Sequence, residues 1–246
     1  MSTFPESPPE QAPEQAPEQA PEQVPEAART GPGTMAVMRH TPHRQALTVG
    51  FDLDMTLIDS RPGIRATYLA LSAETGVPID ADLAVTRLGP PLEQELAHWF
   101  PAERIAEAGD RYRAMYVTHA IAATPALPGA REAIAAVHAA GGRAIVVTAK
   151  HQPNAKLHMD HLGLAPDAVI GSLWAEAKGE ALRAHDAAVY VGDHVGDVRG
   201  ARAAGAVSVA VATGPCPADE LREAGADAVM PDLKGFPAWL DAYLAA

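Results

Sequence analysis

The stretch that decides the fold is residues 47–60, Leu47-Thr48-Val49-Gly50-Phe51-Asp52-Leu53-Asp54-Met55-Thr56-Leu57-Ile58-Asp59-Ser60. The apolar, β-branched run from Leu47 to Leu53 predicts a strand covered on both faces, at the centre of a parallel sheet. Asp52 and Asp54 follow at its carboxyl end, the edge where open α/β sheets bind ligands. Two residues apart on a strand, they should point the same way and repel each other unless a cation or a shared proton intervenes. A divalent ion that prefers oxygen ligands is the simplest relief.

Composition and charge exclude several classes of function. The 246 residues are 48% hydrophobic, enough for a substantial core. The first 30 residues hold six glutamates and one arginine, a charge of −5, which leaves −7 of the total of −12 for the rest. An acidic chain without a Lys/Arg cluster is not expected to bind nucleic acid. The sequence also contains no apolar run of about 18 residues, so it predicts no membrane span. The single cysteine, Cys216, excludes an internal disulfide and favours a cytoplasmic protein.

The chain divides into three predicted parts. Residues 1–45 include a Pro-Glu-Gln-Ala repeat with a period of four, have almost nothing to bury and are expected to be disordered. Residues 46–60 and 126–246 show alternating strand and helix patterns, which predict an α/β core with a doubly wound, mainly parallel sheet of six strands. Residues 61–125 show only helical patterns, which predict an inserted α-helical cap.

The pattern also gives the bounds of the elements. Strands are predicted at 47–53, 143–148, 168–171, 188–192, 207–211 and 228–230. Helices are predicted at 61–75, 82–88, 92–100, 103–119, 130–140, 153–162, 177–185, 198–204, 218–224 and 237–245.

Polar residues recur at the carboxyl ends of the predicted strands or in the segments that follow them. Each has an ordinary structural explanation when it is taken alone, because aspartates cap helices and form turns and a first-turn lysine is commonly solvated. Their order on alternating strands and helices favours one shared site instead. These residues are Asp52, Asp54, Thr148, Lys178, Asp193 and Asp197.

From Val49 to Val229 the chain resembles the haloacid dehalogenase-like hydrolase superfamily. Within that superfamily it is most similar to the phosphoglycolate phosphatase group, because the helical insertion falls between the first two motifs and begins Ile58-Asp59-Ser60. The four motifs stand as Asp52-Leu53-Asp54-Met55-Thr56, Val146-Val147-Thr148, Lys178 and Gly192-Asp193-His194-Val195-Gly196-Asp197.

The resemblance implies a Mg²⁺-dependent phosphatase that hydrolyses a phosphomonoester of a small, phosphoglycolate-like metabolite through an aspartyl-phosphate. Asp52 would be the nucleophile, and Asp54 would protonate the leaving oxygen and then activate water. Mg²⁺ would take oxygen ligands from Asp52, the backbone of Asp54 and Asp193, with Asp197 ordering a bound water. The expected partner is the small phosphorylated substrate, and the expected state is a monomer or a homodimer.

The substrate phosphate would be held by Thr148, Ala149 and Lys178, the lysine acting as a point charge. Two positions depart from the family pattern. Met55 stands where glycine is usual, which gives the loop less backbone freedom or turns the thioether toward the cap. Ala149 stands where many relatives have asparagine, so one side-chain contact to the substrate is missing.

Three other sets of residues are candidates for lesser roles. One of Arg61, Arg65 and Arg87 could grip a substrate anion from the cap, although each is more simply a solvated surface residue. The aromatic residues Trp99, Phe100, Tyr112 and Tyr116 are expected in the cap core, where one could line the pocket. The three histidines of one helical stretch are expected at the surface, since no carboxylate or cysteine at matching spacing supports a zinc site; they are His151, His158 and His161.

Three alternative functions stay open from the sequence. A dehalogenase of the same superfamily would use Asp52 to attack carbon and would need neither Asp54 nor a metal. A receiver-type phosphoacceptor module is also doubly wound, but it should lack the helical insertion at 61–125. The third alternative is a catalytically silent phosphate-binding protein on the same fold.

Overall fold

The computed structural model describes residues 47–246, so the tail predicted at 1–45 lies outside the described residues. All of the strands described are parallel and form one sheet with the order β3-β2-β1-β4-β5-β6. Their bounds are β1 Thr48–Phe51, β2 Arg143–Val147, β3 Ala168–Ile170, β4 Ala187–Gly192, β5 Val207–Val211 and β6 Ala228–Met230. The predicted doubly wound sheet of six strands is confirmed.

Ten α-helices are described within residues 47–246. The first four lie between β1 and α5, before the chain returns to the sheet at β2, and we call them the helical cap. The bounds are α1 Arg61–Thr75, α2 Ala81–Ala84, α3 Leu92–Leu96, α4 Ile105–His119, α5 Ala130–Ala139, α6 Gln152–Leu162, α7 Lys178–Ala184, α8 Val195–Ala204, α9 Ala218–Glu223 and α10 Phe236–Ala245.

The element boundaries differ from the sequence predictions mainly at their ends. The predicted helix 82–88 divides into α2 and the 3-10 turn Val85–Arg87, and the predicted helix 92–100 ends at Leu96. Helix α8 begins three residues before the predicted start at 198, because the His194 ring caps it by accepting the N–H of Gly196 at 3.0 Å. Histidine is not among the usual capping residues, so no sequence pattern predicts this start.

The central position of β1 explains its apolar sequence. The strand pairs with β2 on one side and β4 on the other, and all four of its residues are buried. Strands covered by helices on both faces are continuously hydrophobic, as the sequence predicts. Phe51 belongs to the cluster on one face together with Val191 and Phe236, and the opposite face carries a second cluster with Leu182 and Tyr190.

The helical cap has a hydrophobic cluster of its own. Tyr68 and Leu71 of α1 pack with Tyr112 and Tyr116 of α4, and Leu96 of α3 completes the interior. The expectation that Tyr112 and Tyr116 lie in the cap core is confirmed. None of the helices within residues 47–246 combines the length and the apolar character needed to cross a membrane.

Candidate active site

Three aspartates converge at the carboxyl edge of the sheet. Asp52 follows β1, Asp193 follows β4, and Asp197 lies in the first turn of α8. All three are buried, and each offers a carboxylate oxygen within 4.8 Å of the others. The structure therefore brings together residues that are separated by about 140 positions in the sequence, because parallel strands end at the same edge.

Lys178, the first residue of α7, lies completely buried among these carboxylates. Its Nζ atom is 3.0 Å from Oδ1 of Asp52 and 2.6 Å from Oδ1 of Asp197. The Tyr190 hydroxyl lies 2.9 Å from the same Nζ and donates to the carbonyl of Val147 at 2.7 Å. This network fixes the ammonium group against the carboxylate of the predicted nucleophile.

The cluster carries more negative charge than the ammonium of Lys178 can balance. Burial raises the pKa of Asp52 to about 6; Lys178 opposes the rise, and the charges of Asp197 and Asp54 add to it. Burial and the charges of Asp197 and Asp52 raise the pKa of Asp193 well above its usual value. Two raised carboxyl pKa values at one point indicate a place where a further cation would be stabilised.

The donor set of this cluster fits Mg²⁺. It consists of carboxylate oxygens alone, the ligands that this small hard cation prefers. The loop after β5 also approaches the cluster closely: a Cβ atom at Gly214 would lie 1.7 Å from Oδ2 of Asp193, so only glycine fits there. The Thr56 hydroxyl, which donates to Oδ1 of Asp193 at 2.8 Å, holds a second side of the same carboxylate.

Asp54 has a different partner. Nζ of Lys150 lies 2.9 Å from Oδ1 of Asp54, and the same ammonium lies 4.5 Å from the centre of the Tyr116 ring. Burial would raise the pKa of Asp54, but the charge of Lys150 and the hydrogen bonding of the carboxylate together outweigh it, and the pKa is lowered. Each of the two aspartates is thus paired with its own lysine, which offsets part of the repulsion expected from their spacing.

Thr148 and Ala149 follow β2 beside this pair. Thr148 is buried, and its hydroxyl accepts the N–H of Lys150 at 3.2 Å. Ala149 and Lys150 line a cavity of about 260 Å³ that lies between the carboxyl edge of the sheet and the helical cap. Thr148 and Ala149 as holders of the substrate phosphate remain a prediction, and Lys150 is a site residue that the sequence analysis missed.

The cavity also separates the three candidate arginines. Arg87 lines it, whereas Arg61 pairs with Asp59 and Arg65 pairs with Asp82 away from it. The sequence analysis missed Arg113, which lines the cavity from α4. Its position three residues before Tyr116 on the same helix was the available signal.

One histidine is not where the sequence placed it. His158 is fully buried, and its Nε2 atom lies 2.9 Å from the Tyr116 hydroxyl. The surface expectation is therefore wrong for His158, while His161 is exposed. The reason is that α6 packs this residue against α4 of the cap, a contact that no local pattern reveals.

The loop before α3 closes the cap over the core. Gly89 has φ of +125°, and a Cβ atom there would lie 2.8 Å from Cδ2 of His194, the residue that caps α8. Glycine is required both for the backbone conformation and for the close approach. Through this contact the loop meets the segment that carries Asp193 and Asp197.

Fold and site together define an α/β protein with a carboxylate cluster and a buried lysine under a helical cap. The chain belongs to the haloacid dehalogenase-like hydrolase family, whose model matches residues 49–202, and a related hydrolase model matches residues 174–236. The predicted resemblance is confirmed.

Curated relatives carry two kinds of name. The chain is 31% identical over 188 residues to the tyrosine-protein kinase PtkA of Mycobacterium tuberculosis, a match that covers 71% of this chain but only 65% of the length of that relative. It is also 31% identical over 215 residues to the phosphoglycolate phosphatase of Rhodospirillum rubrum, covering 77% of this chain and 89% of that protein.

Solved structures show the same fold. A haloacid dehalogenase-like protein of Streptococcus pneumoniae, SP0104, superposes with a TM-score of 0.69 at 25% identity, over 81% of this chain and 98% of that chain. A predicted phosphatase from Clostridium acetobutylicum superposes with a TM-score of 0.71 at 23% identity, over 80% of this chain and 99% of that chain. The second similarity concerns the fold alone.

Proposed function

We propose that this protein is a Mg²⁺-dependent phosphatase that hydrolyses a phosphomonoester of a small metabolite through an aspartyl-phosphate on Asp52. One observation carries the proposal: the Asp52 carboxylate, at the end of the central strand, lies within hydrogen-bond distance of Lys178 and within 4.8 Å of the Asp193 and Asp197 oxygens. A nucleophile, a fixed positive charge and a place for a divalent cation are the parts that phosphoryl transfer requires.

The reaction would proceed in two displacements. The Asp52 carboxylate attacks phosphorus, the bond to the ester oxygen breaks, and Asp54 gives its proton to that oxygen. In the second step Asp54 takes a proton from water, which attacks the phosphoryl group and frees Asp52 and inorganic phosphate. The residues that would hold Mg²⁺ are Asp52, Asp54 through its backbone carbonyl, Asp193 and Asp197, and the ion would neutralise charge on the phosphoryl group.

Lys150 bears on the proton that Asp54 must carry. Its ammonium lowers the pKa of Asp54, which favours the ionised form that the second displacement needs. The first displacement needs the protonated form instead. A substrate phosphate that draws Lys150 toward itself weakens the ion pair and so raises the pKa of Asp54. Thr148, Ala149 and Lys178 would hold the phosphoryl oxygens that are not transferred.

The nucleophile is tested by Asp52→Asn, which keeps the shape of the side chain and removes its charge. Turnover of p-nitrophenyl phosphate with Mg²⁺ should fall about 10³-fold or more, while the circular dichroism spectrum stays that of the wild type. Asp160→Asn, at an exposed position on α6, is the matched control and should retain full activity. Retained turnover in Asp52→Asn would refute the assignment.

The cation is tested by chelation. EDTA should abolish turnover and Mg²⁺ should restore it, and Asp193→Asn should need a higher Mg²⁺ concentration for half-maximal activity than the wild type does. Activity that is indifferent to EDTA would favour the dehalogenase alternative, in which Asp52 attacks carbon. The receiver-type alternative predicts no helical insertion, and α1–α4 contradict it.

The relative named as a tyrosine-protein kinase supports a second candidate function, phosphoryl transfer from a nucleotide to a tyrosine hydroxyl instead of to water. The same cluster could serve both, since the reactions differ in the acceptor. Incubation with γ-labelled ATP separates them: label in free phosphate supports hydrolysis, and label in acid-stable phosphotyrosine supports the kinase. Phosphoglycolate, named in other relatives, is the first small ester to assay.

A further inference from the structure

The charges on the cavity wall are balanced from within the protein. Arg87 binds Glu95 through two bonds, from Nε at 2.9 Å and from Nη2 at 2.5 Å. The Trp99 indole N–H holds the same carboxylate at 2.9 Å, so Glu95 is fixed beside Arg87. All three residues belong to the helical cap or its loops, and Arg87 and Glu95 both line the cavity.

The two other basic residues that line the cavity are also paired. Arg113 is hydrogen-bonded to Glu93, and Lys150 is paired with Asp54. Within residues 47–246, each lysine or arginine on this wall thus has a carboxylate partner on the same wall. A carboxylate on the substrate would find no lysine or arginine on this wall free to pair with it, and an ion that loses its water without a partner binds poorly.

Two tyrosine hydroxyls remain available in the same cavity. Tyr68 and Tyr112 line it with ring centres 4.8 Å apart, and their exposed fractions are 3% and 6%. Neither hydroxyl forms a hydrogen bond with another residue of the described chain, whereas the neighbouring Tyr116 hydroxyl is bonded to His158. Each hydroxyl is therefore free to bond to a hydroxyl of a substrate in the cavity.

Much of the remaining wall is apolar, with His151, Asn154 and Ser172 as further polar lining residues. Ile64, Leu88, Leu92 and Leu173 line it. The volume of about 260 Å³ lies just below the usual range for small-molecule sites, roughly 300–1,000 Å³, which suits a small metabolite. A leaving group with a carbon frame and several hydroxyls would fill this space better than the two-carbon acid of phosphoglycolate.

We infer that the site prefers phosphomonoesters whose leaving group is uncharged and bears hydroxyls on a carbon frame, as in polyol and sugar phosphates. Esters whose leaving group carries a carboxylate are the poorer substrates. This inference rests on the phosphatase function proposed above. Glu95 and Glu93 set this preference by neutralising Arg87 and Arg113, and the hydroxyls of Tyr68 and Tyr112 provide the positive recognition.

Two esters of the same size isolate the charge. 2-Hydroxyethyl phosphate carries a hydroxymethyl group at the position where phosphoglycolate carries a carboxylate, and the two esters are otherwise the same. The wild-type kcat/KM should be about tenfold or more higher for the neutral ester, and glycerol and sugar phosphates should be hydrolysed better than either. A wild-type preference for phosphoglycolate overturns the inference.

The variant Glu95→Gln leaves Arg87 without its charge partner while keeping the side-chain shape. The ratio of the two kcat/KM values should move toward phosphoglycolate by about tenfold. Glu93→Gln should act in the same direction and serves if Glu95→Gln does not fold. Glu103→Gln, an exposed cap residue away from the cavity wall, is the control and should leave the ratio unchanged. An unchanged ratio in both Glu93→Gln and Glu95→Gln overturns the inference.

The tyrosine hydroxyls are tested by Tyr112→Phe, which keeps the ring. KM for 2-hydroxyethyl phosphate should rise about three- to tenfold with kcat unchanged, because one hydrogen bond to the substrate hydroxyl is lost. KM for phosphoglycolate should not change, whereas a structural defect would raise KM for both esters. Calorimetric titration of both esters into Asp52→Asn protein measures the same preference without turnover. If the wild type hydrolysed none of the esters, the phosphatase proposal would be contradicted. The ratio of the two Kd values would still support or overturn the inferred selectivity.

Discussion

Two lysines of the site, Lys178 and Lys150, make similar kinds of contact but lie in different surroundings. Each pairs with one of the aspartates that follow β1, and each lies near a tyrosine ring, Tyr190 at 5.4 Å and Tyr116 at 4.5 Å. All of the Lys178 partners come from the α/β core. The Lys150 surroundings are shared, because Tyr116 lies on α4 of the cap.

The difference separates two requirements of the proposed chemistry. A nucleophile needs a constant position, and Lys178 holds Asp52 through a network anchored on strands and on the buried start of α7. An acid and base must respond to the substrate, and Asp54 is paired with a lysine that faces the cavity and touches the cap. A change in the position of α4 would alter the environment of Lys150 and leave that of Lys178 intact.

The strongest test of this contrast compares Lys178→Met with Lys150→Met. The first leaves the carboxylates of Asp52 and Asp197 buried without an ammonium, so the free energy of unfolding should fall by about 3–5 kcal/mol. The second affects a pair beside an open cavity and should cost about 1–2 kcal/mol. Urea unfolding at pH 7 with EDTA present measures both. Equal losses, or a larger loss in Lys150→Met, would contradict the contrast.

An effect of intermediate size concerns His158, which joins the Lys150 group to the core. Burial, with a further contribution from the charge of Lys150, lowers the pKa of His158 to about 4. In the unfolded chain this histidine has the ordinary pKa of about 6.5, so as the pH falls it binds a proton before the folded protein does. The folded state therefore loses stability as the pH falls from about 6.5 to about 4.

We expect this loss to be about 2 kcal/mol smaller in His158→Gln than in the wild type, measured by urea unfolding at pH 7 and at pH 4.5. His161→Gln, at an exposed position on the same helix, is the control and should match the wild type in its pH dependence. The contrast would be broken if His158→Gln lost as much stability on acidification as the wild type does.

The two lysine groups also differ in how far the sequence predicts them. The residues of the Lys178 group lie at strand ends or in the segments that follow, so topology and the motifs place Asp52, Lys178, Asp193 and Asp197 at one edge. The Lys150 group depends on the packing of α4 against α6, and Tyr116 and His158 are joined only by that contact. Periodicity predicts that a helix exists but not which helix of the cap meets which helix of the core.

The charge pairing in the cavity shows the same limit. Six strands and the order of strands and helices follow from hydrophobic patterns, since these are local properties of the chain. Whether Arg87 is free or paired depends on Glu95, eight residues away across a loop. A list of cationic residues in the cap therefore identifies candidates for anion binding, and only the positions of their carboxylate partners decide between them.

The smallest effect belongs to Met55, in the loop that carries Asp54. The sequence marks it as a departure from glycine, and the structure gives the reason glycine is usual: φ is +59°, and the side chain is buried with 2% exposed. A left-handed conformation costs a residue with a Cβ atom about 1–2 kcal/mol. Glycine avoids that cost, but relative to alanine it loses about 0.5–1 kcal/mol more conformational entropy when the chain folds.

Met55→Gly should therefore be more stable than Met55→Ala by about 0.5–1 kcal/mol, because both lose the same buried side chain and only glycine relieves the backbone. The same pair of residues at Ala135, an exposed position inside α5, should give the opposite order, with Ala135→Gly less stable by about 1 kcal/mol. If glycine were the less stable choice at position 55 as well, the positive φ would not be a source of strain, and the Met55 loop would owe its shape to the hydrogen bond from Thr213 to the Met55 carbonyl.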